Sequence, residues 1–300
     1  MHKFNHLINI YNKTFTYLVY NSSKFAILTQ NFLLLYSSYY ILYPNYNINF
    51  HYCVSLKSTP HSNVSFNEWL AGIIDGDGYF VNIQNKYPSL TIDMERKNLS
   101  LLESIYNQVG GILMTDIKNR PNVVRLTIRK RANMIDVVNR INGNIRNSVR
   151  VPQFKMVCST LNIPFISPIP LTIDNAWFTG YFDSDGTIIG TFNSPIGLRI
   201  HITNKYHHDL ECLVPIFNGK VYTVSSKNGD IYAHRWLITT KSDILAMHTY
   251  FSLYPPRSHK ISRINMIVEY YELYSNGAHK KLSPHHEKWL TLAHRWKTEF

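Results

Sequence analysis

Two apolar runs of helical period break off in acids and glycine: Trp69-Leu-Ala-Gly-Ile-Ile-Asp-Gly-Asp-Gly-Tyr-Phe80 and Trp177-Phe-Thr-Gly-Tyr-Phe-Asp-Ser-Asp-Gly-Thr187. Ser65, with Glu68 three residues on, reads as a capping box that opens the first run, and Gly78 as its end. From Tyr79 the apolar period changes to two, so Tyr79 to Gln84 and Ser89 to Met94 predict a hairpin around Asn85-Lys-Tyr-Pro88. Leu102, Ile105 and Tyr106 share one face of a helix over 99–109, which Gly110-Gly111 stops. A second hairpin, 112–117 and 123–129, is followed by a helix over 133–141 and a closing helix over 151–161. Pro164, Pro168 and Pro170 stiffen the link that follows.

The pattern then repeats. Asp185 lies 108 positions after Asp77, and Gly219 lies 108 after Gly111. Arg125-Leu-Thr-Ile128 matches Arg235-Trp-Leu-Ile238 at an offset of 110, and the same offset sets Arg150 against Lys260. The fold class read from this is α+β, two pseudo-symmetric αββαββα units with antiparallel sheets. The expected division is an extension over 1–64, a first unit over 65–165, a linker over 166–171, and a second unit over 172–300 with a helical tail carrying Trp289, Leu292 and Trp296. Two copies in one chain predict a monomer with internal two-fold symmetry.

Gly72 with Gly76, and Gly180 with Ser184, place a strip nearly free of side chains on each apolar helix. A mid-helix glycine costs about 1 kcal/mol against alanine, and close approach of a second helix is the usual return. Asp75 with Asp77, and Asp183 with Asp185, fall in the last helical turn, where the helix dipole disfavours negative charge. If the strips pack together, the acidic ends meet on a dyad and need a cation between them. An EF-hand is excluded, because Tyr79-Phe80-Val81 supplies no further oxygen ligands.

Leu70-Ala-Gly-Ile-Ile-Asp-Gly-Asp-Gly78 resembles the signature of the LAGLIDADG homing endonucleases, and Phe178 to Gly186 is a looser second copy. The resemblance implies that the sheets form a DNA-binding saddle with the signature helices at the interface. It implies Mg²⁺ held by Asp77 and Asp185, with the carbonyls of Gly76 and Ser184 as further ligands, while Asp75 and Asp183 are structural and bond nearby amides. It also implies a basic residue near each centre, Lys260 in one half and Arg150 in the other, and water-positioning polar residues at Arg96 and Asn204. Arginine cannot act as a proton acceptor, so Arg150 departs from the family's lysine. Carboxylate-held Mg²⁺ suits phosphodiester hydrolysis, since it activates water and clamps both attacking and leaving oxygens. Alternation along strands offers Arg125, Thr127 and Arg129; Arg199, His201 and Thr203; and Tyr232, His234 and Trp236 as possible DNA-facing sets, the register deciding which.

Composition agrees with a nucleic-acid partner. The chain of 300 residues is 45% hydrophobic, and 31 basic against 19 acidic residues give a net charge of +12. Its three cysteines, Cys53, Cys158 and Cys212, support neither a disulfide framework nor a zinc knuckle. Abundant Tyr, Asn, Ile, Lys and Phe, all encoded by AT-rich codons, suggest an organellar genome and a mitochondrial protein. Residues 1–61 hold no Asp, Glu or Arg, and Phe25 to Tyr43 is charge-free. That stretch reads first as an extension or exon-derived leader, with a membrane-spanning helix or a targeting segment as the alternatives. The function implied is a site-specific double-strand DNA endonuclease encoded by a group I intron. The second reading is an RNA maturase acting on its own group I intron RNA, and the third an inactive DNA-binding relative, which the intact acids disfavour.

Overall fold

The computed structural model describes residues 60–84 and 86–298, which lie within one compact unit, Ser58–Phe300. The charge-free stretch Phe25 to Tyr43 lies outside the described residues. No described helix is long and apolar enough to cross a membrane.

The first half runs α1 (Pro60–Asp77), β1 (Gly78–Ile83), β2 (Tyr87–Glu95), a 3-10 turn (Arg96–Asn98), α2 (Leu99–Val109), β3 (Ile112–Met114), β4 (Val123–Ile128), α3 (Arg131–Ile141) and α4 (Arg150–Leu161). The second half runs α5 (Trp177–Asp185), β5 (Gly186–Thr191), β6 (Gly197–Asn204), α6 (His208–Glu211), α7 (Val214–Phe217), β7 (Lys220–Ser225), β8 (Ile231–Ile238), α8 (Lys241–Leu253), α9 (Ile261–Asn265), α10 (Ile267–Ser275) and α11 (His286–Thr298). Each half forms a four-stranded antiparallel sheet, ordered β1-β2-β4-β3 and β5-β6-β8-β7. Leu90, Ile92 and Met94 on β2, and Leu198, Ile200 and Ile202 on β6, turn inward onto the helices. Trp289, Leu292 and Trp296 bury the tail helix as expected, with Trp296 against Gly190 of β5.

Several expectations change. The first signature helix starts at Pro60, so Ser65 lies inside it; proline suits a first helical turn because its fixed φ is helical and its missing N–H is not needed there. Glu68 accepts the amide of Ala176 at 2.9 Å, capping α5 of the other half. Strand β3 stops at Met114, since Arg96 takes up the Thr115 carbonyl and the Asp116 carboxylate beyond it. Both helices expected after the second hairpin of the first half form, as α3 and α4, whereas four helices, α8 to α11, follow that of the second half. In the second half the helix matching α2 is split after Glu211, the residue whose carbonyl the ring of Pro215 would strike in a continuous helix.

Candidate metal and nucleic-acid site

The paired helices α1 and α5 cross at their glycines. A Cβ on Gly72 would fall on the Trp177 carbonyl, and one on Gly180 on the Trp69 carbonyl, so neither position admits a side chain. A Cβ on Gly76 would stand 3.3 Å from Asp185 Oδ2 and collide with the Ser184 side chain. The helix ends therefore abut, and their last turns open together into a cavity of about 630 Å³ lined by Asp77, Asp185, Ser184, Asp93, His259 and Lys260.

The inner acids lock this arrangement. Trp69 Nε1 donates across the dyad to Asp183 Oδ2 at 2.8 Å, and Trp177 Nε1 donates to Asp75 Oδ2 at 2.8 Å. The amide of Arg146 completes one contact at 2.7 Å, and those of Arg257 and Ser258 the other at 2.9 and 3.0 Å. Arg146 and Arg257 then lie over the same indoles, 5.4 Å from the Trp177 ring and 4.2 Å from the Trp69 ring. Bonding of the inner acids to backbone amides agrees with the structural role expected of them. The indole bonds had no local signal; the only hint was tryptophan at the same place in both copies.

The outer acids are charged groups held out of water. Burial, then repulsion by Asp185, pushes Asp77 up to about 7, against the pull of Lys260. Burial pushes Asp185 up to about 6, opposed by Lys260 and Arg150. Among the described residues no group of three or more His, Cys, Asp or Glu side chains could hold a metal ion. The donors present, two carboxylates beside helix-end carbonyls in an open cavity, are hard oxygens and leave room for water, which fits Mg²⁺.

Lys260 is almost fully buried, and burial brings its ammonium down to about 8. Its Nζ donates to the carbonyls of Phe182, Asp183 and Ser184 at 2.8, 2.9 and 3.0 Å, so all three donors close the C-terminus of α5. The Ser184 carbonyl expected at the cation thus already accepts one bond. Arg150 is not its counterpart in space. The contacts Arg146–Asp75 and Arg257–Asp183 set the offset at 111, and Val149 and Lys260 occupy the matching N-caps of α4 and α9. Arg150 still acts electrostatically on both outer acids.

The registers settle which strand residues face outward. Arg125 and Thr127, and Arg199, His201 and Thr203, lie on the outer faces, opposite the buried leucines and isoleucines. Arg129 is exposed just past the end of β4. In β8 the set left to the register turns inward at Trp236, which is fully buried, so Arg235 and Leu237 face outward with Thr203 and His201. Burial brings His201 down to about 4, with help from Arg235 and Arg199. Arg96 is bonded to the β3–β4 connection through Pro121, Thr115 and Asp116. Asn204 donates to the Tyr181 hydroxyl at 2.7 Å and accepts from the Tyr206 amide at 3.0 Å.

Paired acid-tipped helices beneath two outward-facing sheets define a class, and comparison with known proteins gives its name. The family model described as LAGLIDADG endonuclease matches residues 70–161. The intron-encoded RNA maturase bI4 of Saccharomyces cerevisiae is 40% identical over 78% of this chain and 37% of its own length. The probable intron-encoded endonuclease aI2 of Debaryomyces hansenii is 32% identical over 79% of this chain and 38% of its own. The chain thus spans well under half the length of these two relatives. Among solved structures, the LAGLIDADG meganuclease I-AabMI bound to uncleaved DNA aligns with 77% of this chain and 98% of that one, at 16% identity and a TM-score of 0.57, a likeness of fold. Residues 70–161 form a LAGLIDADG domain.

Proposed function

We propose that the chain is a site-specific double-strand DNA endonuclease, encoded within a group I intron of a mitochondrial genome. The observation that carries this is the delivery of two half-buried carboxylates, Asp77 and Asp185, from separate helices to one cavity. Two strands require two acid-held centres. Mg²⁺ bound there would supply an activated water and neutralise charge on the phosphate. Asp77, Asp185 and the carbonyls of Gly76 and Ser184 would hold it. Lys260 fixes the last turn of α5 and offsets the acids' charge, while Arg150 faces the same pair as a cation able to hold phosphate. Arg125, Arg129, Arg199 and His201 would meet the DNA; Arg96 and Asn204 shape the loops beside it.

The test is conversion of a plasmid carrying the intronless target to linear form, dependent on Mg²⁺. Asp77→Asn and Asp185→Asn should each abolish it while DNA affinity stays within about tenfold; full cleavage by both variants would refute the assignment. Log K should fall against log[salt] with a slope of about −0.9 per neutralised phosphate.

A second reading, an RNA maturase acting on its own intron, is favoured by the 40% identity to a protein of that name. Rescue of splicing by the doubly substituted Asp77→Asn, Asp185→Asn protein would establish it. The activities can coexist.

A further inference from the structure

Asp93 stands in the middle of the first sheet, on its outer face, paired in the β2–β4 register with Arg125. Arg125 Nε donates to Asp93 Oδ1 at 2.6 Å and Arg125 Nη2 to Asp93 Oδ2 at 2.6 Å, a side-on bidentate pair. Arg120 adds a third bond to Asp93 Oδ2 at 3.1 Å. These partners hold the Asp93 carboxyl below its ordinary range. A carboxylate on a surface meant for a polyanion costs affinity through repulsion, so its presence calls for a reason other than phosphate attraction.

The geometry supplies one. A guanidinium has five N–H donors, and the side-on pair uses Nε and one hydrogen of Nη2. The free edge, Nη1 with the other Nη2 hydrogen, is a planar fork whose orientation Asp93 fixes. That fork matches guanine O6 and N7 in the major groove. Phosphate attraction needs no such fixed plane, and Lys97, in the 3-10 turn at the end of β2, can supply it as a point charge. The strand order β1-β2-β4-β3 puts the Asp93–Arg125 pair on the two central strands, where a sheet laid in a groove reaches deepest. In the second half the registers put Thr203 opposite Arg235 at the matching places, and Arg235 Nε donates to Thr203 Oγ1 at 3.3 Å, so no carboxylate there holds two guanidinium donors at once.

We propose that Arg125 reads a single guanine in the target half-site under the first sheet, and that Asp93 is the positioning residue which sets its fork. This rests on the DNA-cleaving reading above. The experiment is selection of bound duplexes from a randomised pool by the full chain, wild type against Arg125→Gln and Asp93→Asn, sequenced position by position. Wild type should show a guanine preference of about tenfold or more at one base pair under the first sheet, in keeping with a bidentate contact. Arg125→Gln should lose that preference or move it toward adenine, leaving the other positions as they were. Asp93→Asn should weaken it severalfold at the same base pair alone. Lys97→Gln, outside the Asp93–Arg125 pair, should lower affinity for all sequences alike and reduce the salt slope by about one.

A uniform loss in Arg125→Gln with a shallower salt slope would make Arg125 a phosphate contact and overturn the inference. So would an unchanged preference, or an Asp93→Asn change spread over all positions, which is the mark of a merely structural residue. If wild type enriches no duplex, the DNA-cleaving reading itself falls and this inference with it; enrichment without a guanine that depends on Arg125 overturns the inference alone.

Discussion

At the end of α5, Asp183 accepts four hydrogen bonds, from the Trp69 indole, the amides of Arg257 and Ser258, and the Ser258 hydroxyl, while Lys260 ties down the three carbonyls of the same turn. At the end of α1, Asp75 accepts from the Trp177 indole and the Arg146 amide through Oδ2 only. Its Oδ1 has no partner at hydrogen-bond geometry, only electrostatic help from the Asn147 amide, and burial pushes the carboxyl up to about 7. Val149 takes the place of Lys260. The lesson is that duplication preserved the contact across the dyad, indole to acid, and let the supporting shell drift. One centre is pinned by a buried cation, and the other rests on fewer bonds.

The largest effect should come from breaking what the halves share. Gly180→Val forces a side chain onto the Trp69 carbonyl, and Gly72→Val onto that of Trp177. Either should cost about 3 kcal/mol or more, or prevent folding, measured by denaturant unfolding. Next, Lys260→Met should cost about 2–3 kcal/mol, because three helix-end carbonyls lose their donor in a buried place. Arg150→Met should cost less than about 1 kcal/mol, and equal losses would remove the asymmetry between the two helix ends. His201 should give a pH-dependent loss. Its folded value, near 4, lies below the ordinary 6.5, so the unfolded chain takes up a proton that the native state refuses. Stability is therefore lost as pH falls from about 6.5 to about 4, by up to about 2 kcal/mol, and His201→Gln should flatten that limb of the melting profile. The indole pair compares the two centres directly. Trp177→Phe should cost about 2 kcal/mol and Trp69→Phe about 1, since Asp183 keeps three bonds and Asp75 one. A larger loss for Trp69→Phe would reverse the ranking of the two centres.

What could be read along the chain was whatever local chemistry decides. The helix Leu99–Val109 follows from its apolar spacing and its glycine stop, and the hairpins from their period of two. The glycine strips announced the helix pair, because so costly a pattern needs a partner. What failed was set by distant parts of the chain. The capping box at Ser65 was overridden when Glu68 went to the other half. Lys260 was readable as a basic residue near the site, but its burial on three carbonyls depends on where α9 begins. The Asp93–Arg125 pair needed the β2–β4 register, which no single strand reveals. Pro215 did carry a local signal, a helix break, that the repeat obscured.

The exchanged indole bonds have a consequence for how the chain may be severed. Trp69 and Trp177 each serve the acid of the opposite half, while the connection over 162–176 is outside both helices. A protein nicked within that proline-rich connection should stay clasped, its fragments co-eluting and melting in one step, because the grip between the halves is not made by the peptide bond that joins them.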